Sequence, residues 1–226
     1  MPRGLFITGT GTGVGKTYVA ALVARALHSA GKRVGVYKPA ASGCQVCAGR
    51  LVSPDAEALW HAAGQSGPIE RVCPQMFAAP LAPPLSARAE GRRIDATLLR
   101  SGFEYWQSTC EFILVEGAGG LMSPIGDDAY NADLAAEFGL SLLVVAANEL
   151  GTINATLQTL ITAQTIRGGM PVAGVVLNWP TRAEDDPSTA SNCDELALRC
   201  SAPVLAEVGY NGQFDREVDW WKLGGG

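Results

Sequence analysis

Between Gly9 and Thr17 the chain reads Gly-Thr-Gly-Thr-Gly-Val-Gly-Lys-Thr, directly after the apolar run Leu5-Phe6-Ile7 and directly before residues with helical apolar spacing. Gly9, Gly11, Gly13 and Gly15 let the backbone curl until successive N–H groups face one centre, and a helix opening at Lys16 adds its positive end. Such a cradle takes phosphate oxygens. Lys16 supplies a mobile positive charge for the outer phosphates, and the Thr17 hydroxyl a ligand for the magnesium ion that travels with them. The chain is therefore expected to bind a nucleoside triphosphate. The common phosphate loop has a glycine where Thr10 stands; here the leading glycine is Gly9, so the loop is one residue longer.

The elements that hold this loop follow from the pattern around it. Short apolar runs alternate with longer helical patterns, which predicts an α/β fold with a doubly wound, mostly parallel sheet covered on both faces. Strands are expected at Leu5–Thr8, Val34–Lys38, Phe112–Glu116, Leu142–Ala147, Ala173–Asn178 and Val204–Val208. Helices are expected at Lys16–Ala30, Pro54–Ala63, Asp95–Gln107, Asn131–Phe138, Thr152–Arg167 and Thr189–Cys200. Cys73–Arg93, dense in proline, reads as an extended excursion without regular structure that walls a cleft or a subunit contact. The last ten or so residues, ending in Gly224-Gly225-Gly226, read as poorly structured.

Ligands of open parallel sheets sit beyond the carboxyl ends of the strands, and that rule gathers scattered residues. Lys38 closes the second strand and opens Pro39-Ala40-Ala41-Ser42-Gly43, a small-residue loop that lets a substrate approach Ser42. Glu116 closes the third and opens Gly117-Ala118-Gly119-Gly120. A carboxylate opposite a phosphate loop is placed to hold magnesium, since the metal must touch both carboxylate and phosphate oxygens. Asp55 is a second metal candidate, although an acidic residue in a first helical turn also simply favours the helix dipole. Lys38 by itself also reads as a strand-end lysine with its head in water.

With 226 residues, 47% of them hydrophobic, and a net charge of −5, the chain reads as one domain without the clustered basic surface that nucleic acid requires. No apolar stretch reaches membrane-spanning length and no leader precedes the first strand, which predicts a cytoplasmic protein without a membrane partner. The six cysteines are expected as small core residues rather than disulfides. Cys44 and Cys47 have the spacing of half a zinc site or of a redox pair, but no second pair and no nearby histidine completes a tetrahedral set. His28 and His61 lie in helical stretches without triad partners and read as helix-surface or packed residues.

Gly9–Thr17, then Tyr37-Lys38-Pro39-Ala40-Ala41-Ser42-Gly43, then Val115-Glu116-Gly117-Ala118-Gly119-Gly120, then Leu150-Gly151-Thr152-Ile153-Asn154, closely resemble dethiobiotin synthetase. Order and spacing agree from Gly4 to about Asn178, and the longer phosphate loop is a feature of that family. The resemblance implies a phosphate-loop NTPase fold. It also implies Mg2+- and ATP-dependent closure of a ureido ring on 7,8-diaminononanoate with CO2, a step of biotin biosynthesis.

It further implies roles for particular residues. Thr12, Lys16 and Lys38 would act on the carbamate and the transferring phosphate. Gly13, Val14, Gly15, Lys16, Thr17, Tyr18, Glu116, Gly117, Ala118 and Gly119 would surround the nucleotide phosphates, and Asn178, Gly209, Tyr210 and Asn211 the base. Thr17, Asp55 and Glu116 would hold Mg2+. Thr12, Lys38, Ser42 and Gly119 would bind the diamine, whose carboxylate would be held by Gly151, Thr152, Ile153 and Asn154 of a second subunit in a homodimer.

Other readings compete. A partition-type switch ATPase of the deviant phosphate-loop class shares the opening, but that class carries a signature lysine where this chain has Gly11, and a basic amphipathic terminal helix that the acidic Asp215–Trp220 segment does not provide. A cobyrinate-type ligase needs a glutaminase domain for which this chain has no room. A small-molecule kinase would differ in its product.

Overall fold

In the computed structural model residues 3–182 and 186–225 are described; Met1, Pro2, residues 183–185 and Gly226 lie outside them. The elements run in chain order as β1 (Gly4–Gly9), α1 (Lys16–Ser29), β2 (Val34–Tyr37), β3 (Gln45–Cys47), β4 (Arg50–Val52), α2 (Pro54–Ala62), α3 (Ile69–Val72), α4 (Pro83–Ala89) and α5 (Ala96–Thr109). They continue as β5 (Phe112–Gly120), α6 (Asn131–Phe138), β6 (Ser141–Ala147), α7 (Thr152–Thr165), β7 (Val172–Asn178), α8 (Asn192–Arg199), β8 (Val204–Val208) and α9 (Trp220–Leu223).

The six expected strands form one sheet in the order β2-β5-β1-β6-β7-β8, every neighbouring pair parallel. Their apolar runs are continuous because helices cover both faces: Leu5, Phe6 and Ile7 of β1 are fully buried, as are Val34 and Val36 of β2. The chain leaves β1 for β2 on one side, fills the gap with β5, then crosses to β6 on the other. β1 therefore ends at the switch point where the order reverses, the crevice in which such sheets bind ligands. The β1–β5 ladder steps from Ile7↔Glu116 to Gly9↔Gly120, so two residues of β1 face four of β5, and Gly117–Gly119 arch out of register.

Local chemistry sets the helices. Ser53 caps α2 by accepting from the Ala56 N–H at 3.2 Å, with Pro54 in the first turn. Asp95 caps α5 by accepting from Leu98 N–H at 2.9 Å, and Leu99, Phe103 and Trp106 bury one stripe of that helix. The expected helix Thr189–Cys200 is divided: Pro187–Ala190 is a 3₁₀ turn and α8 follows. The helix expected to Arg167 ends at Thr165, and Arg167 takes φ 53° in a 3₁₀ turn.

Two further expectations are corrected, and the hairpin at residues 45–52 is an element the sequence reading did not include. Cys73–Arg93 contains α4, because Pro83 and Pro84 occupy a first turn, where no N–H is needed. The rest of that segment is pinned along the loop after Lys38 by Ala41 N–H to Gln75 O at 2.9 Å and Phe77 N–H to Ala41 O at 2.9 Å. Residues 45–52 form the antiparallel hairpin β3–β4, turned at Ala48 and Gly49, both with positive φ. The C-terminal stretch is ordered through Gly225. Asp219 caps α9, Trp220 is 3% exposed with its ring 4.9 Å from Phe214, and Gly4 N–H donates to Gly224 O at 2.7 Å. Among the described residues no helix is long and apolar enough to cross a membrane.

Candidate active site

Gly15 ends the phosphate loop in the left-handed region, φ 88°, and serves as the N-cap of α1; a side chain there would be driven into the Asn178 carboxamide. Lys16 folds back over the loop, donating to Gly11 O at 3.0 Å, and is 7% exposed. Burial holds its pKa below the ordinary lysine value, against the pull of the nearby Glu116 carboxylate, with Lys38 adding to the depression.

β2 and β5 are neighbours, and Tyr37↔Val115 is their last paired position, so Lys38 and Glu116 emerge side by side at the sheet edge. Lys38 Nζ donates to Glu116 Oε1 at 2.5 Å and lies 2.8 Å from Asp55 Oδ2. Burial opposes the charge on Lys38, but the Glu116 and Asp55 carboxylates outweigh it and hold its pKa above the ordinary value. Asp55, half exposed at the start of α2, is pushed up by burial and pulled further down by Lys38, so its carboxyl sits below its usual range.

Glu116 Oε1 also accepts from the Thr17 hydroxyl at 2.8 Å, whereas Oε2 is buried with no partner. A buried carboxylate oxygen without a donor, beside a threonine hydroxyl and a second carboxylate, is a set of hard oxygen donors that fits Mg2+. Among the described residues no group of three or more His, Cys, Asp or Glu could hold a metal. Cys44 is buried and Cys47 stands exposed on β3.

A cavity of about 410 Å³ joins these groups. Thr12, Gly13, Gly15, Lys16, Thr17, Tyr18, Lys38, Ser42, Asp55, Glu116, Gly117, Ala118 and Gly119 all line it, which brings these strand-end and loop residues together. A second cavity, about 440 Å³, meets it at Thr12 and runs between the phosphate loop, Met122–Pro124 and the Ala155–Thr162 side of α7.

The remaining expected residues stand apart. Val14 is buried beneath the loop. Asn178 is 2% exposed and donates to Val14 O at 2.9 Å, bracing the phosphate loop from behind. Gly209, Tyr210 and Asn211 follow β8, in a turn tied to α1 by Tyr18 Oη donating to Gly212 O at 2.7 Å. Gly151 is the N-cap of α7 with φ 96°, and the Gly151, Thr152, Ile153 and Asn154 motif lines neither cavity of its own chain.

Three buried asparagines escape the sequence reading. Asn131 packs against the β5 arch. Asn148 N–H donates to Asn178 O at 2.7 Å, its amide donates to Thr189 O at 3.2 Å, and its Oδ1 accepts from Asn192 Nδ2 at 2.8 Å. Asn192 also reaches Glu149 O at 3.3 Å. Their positions beside helix starts suggest caps, and the only signal for the true role is their fit across distant segments.

The chain matches the family described as AAA domain over residues 3–218. Among solved structures it resembles a ParA family ATPase from Chlorobium tepidum, with TM-score 0.57, 15% identity, 99% of this chain and 89% of that one. It also resembles the GDP complex of the signal recognition particle receptor FtsY from Elizabethkingia anophelis, with TM-score 0.56 and 13% identity over 99% of this chain, which spans 63% of that structure's length. At these identities the likeness is one of fold alone. Two curated relatives carry the name ATP-dependent dethiobiotin synthetase BioD: one from Rhodopirellula baltica, 43% identical over 90% of this chain and 82% of its own, and one from Anaeromyxobacter dehalogenans, 47% identical over 90% and 88%. Relatives of that name do not favour the partition-type alternative. The similarity extends far beyond the phosphate loop to nearly the whole length of both chains, and this protein belongs to the dethiobiotin synthetase family.

Proposed function

We propose that this protein is an ATP-dependent cyclo-ligase that makes dethiobiotin, ADP and phosphate from 7,8-diaminononanoate, CO2 and ATP. The observation that carries this reading is Lys38, charged and buried between Glu116 and Asp55, facing the same cavity as Lys16 and Ser42. An unprotonated amine of the diamine adds to CO2 and loses a proton to give a carbamate. A carbamate oxygen then takes the γ-phosphoryl group of ATP, releasing ADP. The second amine attacks the carbonyl of this mixed anhydride, closing the ring and expelling phosphate.

Such chemistry asks the protein for position and positive charge rather than a nucleophile. Lys16 and Lys38 flank the carbamate and the transferring phosphoryl group, and their field favours neutral amines between them. Thr12 and Ser42 hydrogen-bond the diamine and its carbamate. Thr17, Asp55 and Glu116 hold Mg2+, which neutralises phosphate charge when bound. Asn178 and the Gly209–Asn211 turn lie on the side of Gly15 and Tyr18 where the base would extend.

The Gly151–Asn154 helix start supports a homodimer. It is suited to a carboxylate, yet it lies outside the cavities of its own chain, so it serves the diamine's carboxylate tail in a second copy. As a biosynthetic enzyme of the dethiobiotin synthetase family, the protein is read as working in the cytoplasm on small molecules. The test is phosphate release from MgATP and bicarbonate with and without 7,8-diaminononanoate, with the product mass determined. Diamine-dependent phosphate and the mass of dethiobiotin support the reading; phosphate release indifferent to the diamine overturns it.

A further inference from the structure

The arch of β5 between Glu116 and Gly120 has left the ladder of β1, and its backbone groups must be paired elsewhere. The Asn131 side chain supplies what the ladder no longer does. Its Oδ1 accepts from Ala118 N–H at 3.2 Å, and its Nδ2 donates to Ala118 O at 2.8 Å and Gly120 O at 2.8 Å, with Ser123 O at 3.3 Å sharing the donors. The carboxamide thus imitates a peptide unit of a missing neighbouring strand, and it is 1% exposed.

Two observations separate this from a helix cap. Asn131 is the first residue of α6, but the N–H of the preceding Tyr130 is satisfied by Asp133 Oδ2 at 2.7 Å, within the helix's own first turn. The fit to the arch is also close: a Cβ on Gly117 would stand 2.7 Å from Asn131 Oδ1 and 3.1 Å from the Phe6 ring. The opposite side of the arch, Gly117 to Gly119, lines the cavity with Thr12, Lys38 and Ser42, and Glu116 stands at its foot.

We propose that Asn131 is a positioning residue for ring formation, acting through its bonds to Ala118 and Gly120 to hold Gly119 against the phosphorylated carbamate. The proposal rests on the dethiobiotin synthetase reading. Lys16, Thr17 and Glu116 take no bond from Asn131 and keep their own contacts when the arch loosens, so ATP is still bound and cleaved. The mixed anhydride is then held badly, and water competes with the second amine for its carbonyl.

The experiment measures kcat, KM for ATP, KM for the diamine, phosphate released per dethiobiotin, and Tm, for wild type, Asn131→Asp and Asn131→Ala. Aspartate keeps the volume but removes both N–H donors and sets a negative charge against three carbonyls, while suiting a helix N-terminus. Expected is a kcat roughly 10- to 100-fold lower, as for an Ångström-scale misplacement. The phosphate-to-dethiobiotin ratio rises above one, and KM for ATP stays within about twofold. A lowered Tm with unchanged kcat and ratio would reduce Asn131 to a structural support and overturn the proposal. If neither variant folds, Gly117→Ala decides: its methyl presses on the Asn131 amide from the side away from the cavity. It should give the same raised ratio, and a ratio of one refutes the role. Wild type that makes no dethiobiotin would defeat the functional reading itself, whereas wild type with a ratio near one and an unaltered Asn131→Asp would defeat only this inference.

Discussion

Lys38 and Glu116 meet at 2.5 Å across the ends of neighbouring strands, with side chains 5% and 2% exposed. Each satisfies a charge the other could not bury alone. In Lys38→Gln the glutamine still offers Glu116 an N–H, so the fold survives with a lower Tm, while the developing phosphate charge loses its buried cation. Turnover is expected to fall by about 100-fold or more. Activity and thermal melts on the same preparation check this, and near wild-type kcat in the folded variant removes Lys38 from the mechanism.

Glu116 Oε2 is buried without a partner beside the Thr17 hydroxyl. On the proposed role of Glu116 at Mg2+, replacing it by Gln removes a charged oxygen while keeping shape, so the apparent magnesium requirement should rise by roughly tenfold or more. The readout is rate against Mg2+ concentration at saturating ATP and diamine. An unshifted curve would exclude Glu116 as a metal ligand.

Burial depresses the Lys16 pKa below its ordinary 10.5, whereas Lys38 is held above it. As pH rises, Lys16 therefore loses its proton first and with it the attraction for phosphate. The profile of kcat/KM for ATP, which reports the free enzyme, should bend down on the alkaline side below pH 10.5. Arginine stays charged throughout, so Lys16→Arg should remove that limb even at reduced activity. A limb that persists unchanged in Lys16→Arg would assign it to another group.

A substrate site shared between two copies predicts complementation. Lys38→Gln and Asn154→Ala are each expected to be nearly inactive alone. After mixing and subunit exchange, half the dimers carry one intact site, and activity should recover toward about a quarter of wild type in a two-fold symmetric dimer. Size measurement of the same mixture accompanies the assay. Failure to recover despite exchange would return the Gly151–Asn154 motif to its own chain.

The six-stranded sheet was legible because burial on both faces writes an uninterrupted apolar run, and strand ends such as Lys38 and Glu116 follow from it. The β3–β4 hairpin was not: β3 is exposed along its whole length, so no alternation marks it. α4 was hidden because proline reads as a breaker unless its place in the first turn is known. The tail was misread because Gly224 looks flexible until its backbone is seen closing against Gly4. Asn131, Asn148 and Asn192 were invisible for a different reason: each completes backbone bonds in segments far along the chain, and no local pattern encodes that.

The Asn178–Asn148–Asn192–Glu149 path joins the back of the phosphate loop to the start of α7 through hydrogen bonds alone. In a dimer where α7 serves the neighbouring copy, this strip links the nucleotide of one subunit to the carboxylate tail held for the other. Loading ATP on one side would then change diamine affinity across the interface, and the two sites would not turn over independently. Coupling of this kind would show as a diamine affinity that changes when a non-hydrolysable ATP analogue is bound to wild type and changes less in Asn192→Ala; the same shift in both proteins would show that the strip carries no coupling.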